Sequence, residues 1–321
     1  MDETLTKENI VPKAKKRKRQ RITWYLIKSQ RQLIFMSVPL LAYIILFAYV
    51  PVWGWTMAFQ NYKPARSFGQ QDWVGFKQFK FLFTDDSFLR VLRNTLGMSI
   101  INLVLGFVTA IVLALLLNEI KKIFWKRTVQ TISYLPHFLS WIIVTGIVAT
   151  TLASDGIVND ILMRLHLISE PILWLSEGKY FWGVVGASHV WKEVGWNTII
   201  YLAAMAAIDP ALYEAADIDG ASRYRKMFHV TLPGIKPTIV ILLIMSIGHI
   251  LEAGFEVQYL LGNGLVVDWA ETIDIFVLKY GIAQGNYSLA TAGGIFKTVV
   301  SVTMLLFANW MAKRLGEERL L

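Results

Sequence analysis

Seven polar residues interrupt two long apolar stretches of this chain. In the stretch 181–208, His189, Lys192, Glu193 and Asn197 fall at i, i+3, i+4 and i+8. That spacing gathers side chains on one face of a helix. In the stretch 238–261, His249, Glu252 and Glu256 fall at i, i+3 and i+7, again the spacing of one face. Imidazoles, an ammonium and carboxylates arranged in this way could relay protons or bind a cation. They could hydrogen-bond the hydroxyls or carboxylates of a passing solute, or pair with one another as a brace. Counting about 1.5 Å of rise per residue puts Lys192 and Glu252 at similar depth, within pairing reach if the two stretches are neighbours. Covalent chemistry is not expected. His137, His189 and His249 are scattered over three stretches, so no nucleophile–base or metal constellation is visible. The chain has no cysteine, hence no disulfide and no thiolate metal site. It contains no GxxxxGK[ST] phosphate loop, so no cofactor, ATP included, is expected on this chain.

The elements that must position these residues are membrane helices. Charged residues make up 17% of the 321 residues, against about 25% for a soluble domain. The stretches 33–59, 95–117, 128–153, 238–261 and 289–311 each approach or exceed the roughly 20 apolar residues that cross a bilayer. The polar-studded 181–208 has the same length and makes a sixth, with a further cation, Lys297, in the last. An ionisable residue at bilayer depth is costly and marks function or pairing. The basic start, Lys13 to Arg21, is followed by an apolar run too long for a signal peptide and by no small-residue cleavage site, so it reads as an uncleaved first span. Of the 32 Lys and Arg, 21 fall on one side of the six-span arrangement and nine on the other. The positive-inside rule then puts both termini in the cytoplasm. It divides the chain into a basic segment 1–32 that contacts anionic lipid rather than nucleic acid, a membrane domain 33–314 and a tail 315–321.

One cytoplasmic loop, 209–237, has its own internal order. Asp209-Pro210 reads as an N-cap followed by proline at the first helical position. Residues 211–218 are good helix formers, and Asp219-Gly220 breaks the helix. A second helix over 221–230 carries Tyr224, Met227 and Phe228 on one side, Leu232-Pro233 ends it, and Pro237 opens the fifth span. A short helix over 158–165 is expected in the loop before span four.

Glu214-Ala215-Ala216, then Asp219-Gly220-Ala221, then Phe228, Leu232-Pro233 and Pro237 resemble the EAA loop of ABC importer permeases. Trp73-Val74-Gly75-Phe76 with Phe79, Asn94-Thr95 at the start of span two, and Pro136 with Ser140 look like the sugar-importer branch of that family. The basic tail and the stretch Ala290 to Gly294 are similar to its complex-oligosaccharide subgroup, whose typical cargo includes pectin-derived and other uronate-containing fragments. The resemblance implies an all-α, six-span type I importer permease fold in a bacterial cell membrane. It implies that the chain is not an enzyme, and that ATP and Mg sit on two copies of a separate ATPase. The remaining partners would be a second permease, making a heterodimer, and an extracytoplasmic sugar-binding protein. Glu214, Ala215, Ala216, Asp219, Gly220, Ala221, Phe228, Leu232 and Pro233 would then couple the chain to the ATPase. An ion-gradient-driven transporter, with His249, Glu252 and Glu256 as the relay, is the alternative, but no inverted repeat supports it.

The orientation is directly testable, because the chain has no native cysteine. A cysteine at Ser222 should be labelled only from the cytoplasmic side, and one at Ser67 only from outside. Reversed labelling at either position would sink the assignment.

Overall fold

The structure, a computed structural model, describes residues 28–316. The predicted basic cluster 13–21 and the last residues of the tail lie outside them. The described chain divides into a unit ending at Gly54 and a unit from Trp55 onward. In the first unit lies helix α1 (Arg31–Ile44), which passes through a wide turn at Ile45–Tyr49 and a tight stretch at Val50–Phe59 without ending. Together they give 29 residues of helix, with Pro39 inside.

The second unit takes in the end of that helical stretch, from Trp55, and continues with a two-stranded antiparallel ribbon, β1 (Gln60–Asn61) and β2 (Asp72–Trp73), and a short helix α2 (Lys77–Thr84). Helix α3 (Asp86–Glu119) is N-capped by Asp85, whose carboxylate accepts from Ser87 N. Then come α4 (Ile123–Tyr134), α5 (Trp141–Thr151), α6 (Ile157–Arg164) and the long α7 (Gly178–Ala206). Two short helices follow, α8 (Pro210–Ile218) and α9 (Arg223–Lys226), the latter running on through a wide turn to Gly234. Helix α10 (Lys236–Gly248) is followed by an irregular stretch, 249–255, and by α11 (Glu256–Leu261). The chain closes with α12 (Val267–Ala270), α13 (Ile273–Leu278) and α14 (Tyr287–Arg314).

Among the described residues, six crossings are present by length and composition if each bent pair of helices counts as one, and three of them are single continuous helices: 31–59, 86–119 and 287–314. The third expected span, 128–153, is not straight. Its two helical parts, 123–138 and 141–151, meet at 104°. Pro136 lies in the tight turn just before the break, where Leu139 and Ser140 are extended. The fifth expected span also differs. Its helix stops at Gly248, so His249, Glu252 and Glu256 do not occupy one face of a continuous helix. The second helix of loop 209–237 is longer than expected. Leu232-Pro233 does not end it, and the bend, of 56°, comes instead at Ile235, between 223–234 and 236–248.

Packing is densest along α3 and α7. Ala110, Ala114, Tyr201, Met205 and Ile235 form one buried cluster, and the Thr198 hydroxyl donates to Ala110 O at 3.2 Å. In the first part of α3, Asn94 is fully buried and donates to the carbonyls of Asp268 and Glu271, while Thr95 Oγ1 accepts from Ile273 N. These bonds satisfy an irregular segment that has no ladder of its own. Asn159 does the same for the loop before α7, bonding Ala153, Ile172 and the Trp174 indole. Lys297 pairs with Asp274 at 2.7 Å.

Helix α7 meets the backbone of α4 so closely at Gly195 that an added Cβ would fall on the Ser133 carbonyl. Gly195→Ala should therefore lower stability by about 1–3 kcal/mol, seen as an earlier thermal midpoint in detergent. Gly183→Ala, on the same helix but facing open space, should be neutral or slightly stabilising. Equal losses at both positions would contradict this packing.

Candidate functional site

Helices α3, α5, α7 and α10 and the irregular stretch after α10 enclose a cavity of about 530 Å³. Six of the seven polar residues singled out in the sequence line it: His189, Glu193 and Asn197 from α7, and His249, Glu252 and Glu256 from the interrupted fifth span. The chain break does not disperse the last three; it lets all of them face one cavity without sharing a helical face. Ser99 and Asn102 from α3, Trp141 from α5, Tyr201 from α7, Ser246 from α10 and Gln258 from α11 complete the polar and aromatic wall. Their sequence signal is weak, since single hydroxyls and amides in apolar runs stand out less than charges.

Lys192 does not line the cavity, and the expected pair with Glu252 is not formed. Its ammonium, almost fully buried, donates to the carbonyl of His137 at 2.7 Å and to Glu193 Oε1 at 3.0 Å. It also lies 5.1 Å from the centre of the Trp141 ring, a cation–π contact. The physical reason is the break in the third span. Leu139 and Ser140 leave the helix, so the carbonyl at the interrupted turn needs a donor from elsewhere. Lys192 supplies it from the facing helix. The other oxygen of Glu193 meets His137 Nδ1 at 2.8 Å, and the His137 ring stacks on Trp196 with centroids 4.3 Å apart and planes 3° from parallel. Lys192, Glu193, His137, Trp141 and Trp196 thus form a clasp that fixes the elbow of the third span to α7. Glu193 belongs to both the clasp and the cavity wall.

Loop 209–237 is held rigidly at its base and bare at its tip. Asp209 accepts from Ala211 N at 2.9 Å, with Pro210 opening α8. Gly220, at φ +70°, makes the turn, with Ala221 N bonded to Ala216 O. Residues with a side chain resist that region of backbone space. Ser222 then caps α9. Lys226 reaches back to Asp217 at 2.6 Å and Tyr213 meets Thr231 at 2.9 Å, which sets the two short helices against each other. At the base, Ile208, Met227, Leu232 and Ile235 pack with Tyr201 and Met205 of α7. At the tip, Ile218, Tyr224 and Phe228 are 88%, 74% and 56% exposed, beside the exposed Glu214. Ile218 is a member of this apolar surface that the sequence motif does not mark.

Residues 90–317 match the family of binding-protein-dependent transport system inner membrane components. The chain is 45% identical to the polygalacturonan/rhamnogalacturonan transport system permease protein YteP of Bacillus subtilis (strain 168), over 95% of this chain and 94% of that one. It is 42% identical to protein LplB of the same organism, over 93% and 94%. Among solved structures, it superposes with a TM-score of 0.84 and 40% identity on a chain of a bacterial ABC transporter involved in the import of the acidic polysaccharide alginate, covering 91% of this chain and 98% of that one. The same transporter type has also been solved in complex with an alginate pentasaccharide-bound periplasmic protein, matched at a TM-score of 0.84 and 39% identity. With an all-α, type I importer permease fold and a family match over most of its length, this chain belongs to the binding-protein-dependent transport system inner membrane components, the non-catalytic permease subunits of ABC importers.

Proposed function

We propose that the chain is the permease subunit of an ATP-driven importer of oligosaccharides, including uronate-containing fragments such as those of pectin. It would work in the bacterial inner membrane with both termini in the cytoplasm. A second permease would complete the pathway, two copies of an ATPase would carry ATP and Mg, and an extracytoplasmic sugar-binding protein would deliver the solute. The polysaccharide transporters among its relatives, at 40–45% identity over more than nine-tenths of the chain, support the class of solute.

The observation that carries the coupling part of the reading is the construction of loop 209–237. Its exposed apolar tip of Ile218, Tyr224 and Phe228 is the kind of surface that marks a protein contact. Its base is locked into the α7 core, and α10 leads from it directly to the interrupted stretch that lines the cavity. A push on the tip would therefore travel as a rigid-body motion of α8 and α9 into α10 and α7. In this reading Glu214, Ala215, Ala216, Asp219, Gly220, Ala221, Phe228, Leu232 and Pro233 serve coupling. His189, Glu193, Asn197, His249, Glu252 and Glu256 line the solute path, and Lys192 braces it. The gradient-driven alternative, with His249, Glu252 and Glu256 as the relay, is not favoured by relatives that are components of binding-protein-dependent ABC importers.

Gly220→Val tests the coupling. A β-branched residue at φ +70° is strained and would tilt α9 against α8, while open space around Gly220 leaves the membrane core undisturbed. Membrane insertion should be normal, co-purification of the ATPase reduced, and ATP-dependent uptake lost. Parental uptake with normal assembly would show that this loop does not couple the chain to its ATPase.

A further inference from the structure

Buried polar atoms without a partner are rare in folded chains, because each forfeits its hydrogen bonds to water. Four gather at the central cavity: the oxygens Ser99 Oγ, Asn102 Oδ1 and Gln258 Oε1, and the ring nitrogen His189 Nδ1. Ser99 and Gln258 are 6% and 1% exposed. The broken fifth span decides which atom of each amide is spare. The Ala253 carbonyl can only accept, and it receives Gln258 Nε2 at 2.6 Å and Asn102 Nδ2 at 3.3 Å. The amide oxygens are what remains, and an amide oxygen accepts but cannot donate. A ligand that satisfied them would have to bring donors.

The charge of the same wall narrows the ligand further. Glu193, Glu252 and Glu256 contribute carboxylates, and no Lys or Arg stands among the described residues lining the cavity. The nearest ammonium, Lys192, is spent on His137 and Glu193. A sugar carboxylate here would meet like charge and no lysine or arginine, whereas a sugar hydroxyl would meet spare acceptors. We propose that Ser99, Asn102 and Gln258 form a hydroxyl-binding subsite that takes an uncharged sugar ring or the hydroxyl edge of one. Any uronate carboxylate on the same oligosaccharide is held away from this wall. The three oxygens lie just beneath the cavity surface. The stretch 249–255, which is turns rather than helix and has Gly254 at φ +95°, has no helical ladder to resist the small shift that uncovers them. The subsite rests on the oligosaccharide-import reading above and adds to it which groups of the sugar this chain recognises.

The test uses the complete transporter in proteoliposomes with its binding protein. It is offered a mixed digest of acidic and neutral pectic oligosaccharides, and the imported sugars are identified and quantified by mass per assembled complex. Ser99→Ala is the cleanest variant, because the Ser99 hydroxyl makes no hydrogen bond within the chain, so a purely structural residue there would leave import untouched. Ser99→Ala and Asn102→Leu should each lower import about five- to tenfold, the worth of one ligand hydrogen bond. Glu252→Gln should not raise the import of uronate-containing fragments, because no carboxylate of the solute approaches it. Parental import by Ser99→Ala, or a severalfold gain of acidic fragments in Glu252→Gln, would overturn the subsite alone. No import of any digest component by the parental complex would overturn the oligosaccharide reading and the subsite with it.

Discussion

Hydrocarbon offers no hydrogen bonds, so a chain that interrupts a membrane helix must satisfy the freed backbone from within. Among the described residues, the third and fifth spans are interrupted in this way. At the elbow of the third span the freed carbonyl of His137 takes the Lys192 ammonium. At the end of α10 the carbonyl of Ala253 takes the side-chain amides of Asn102 and Gln258. Both repairs come from residues at the edge of the same cavity, and the cavity's polarity follows from them. A lysine that caps a carbonyl needs a counter-charge, which is Glu193. An amide that spends its nitrogen on backbone leaves its oxygen spare beside the lumen.

The same constraint explains why the cavity lies where it does. Helices α3 and α7 pack tightly through alanines and Thr198, and α7 approaches α4 at Gly195 with no room for a side chain. Irregular backbone cannot be exposed to lipid, so it collects where these close-packed helices shelter it. Loop 209–237 is tied to the same framework through Ile235 and Tyr201. A packed connection therefore runs from the exposed apolar tip of this loop through α10 to the irregular stretch 249–255.

Much of this was legible in the sequence. Hydropathy gave the six stretches, and the N-cap Asp209, the turn at Gly220 and the helix over 157–164 are local signals that tertiary packing did not override. Periodicity failed where it assumed continuity. The spacing of His249, Glu252 and Glu256 reads as one helical face only if a helix persists past Gly248, and nothing local announces its end there. The pairing of Lys192 failed for a related reason. Its true partner in sequence is the adjacent Glu193, and what draws both to the third span is a carbonyl freed by the break at Leu139 and Ser140. Backbone groups carry no sequence signature, so Ser99, Asn102 and Gln258 also escape notice until the break they serve is seen.

The claim on which this account turns is that Lys192 and Glu193 act together as the brace of the elbow. A double-mutant cycle on Lys192→Met and Glu193→Gln, read as unfolding free energy in detergent, tests it most directly. Each single change should cost about 3–5 kcal/mol by stranding the other charge in a buried site. The double variant should then lose distinctly less than the two losses added together. Strictly additive losses would mean that the two side chains do not act as a pair, and that the elbow is held by something else.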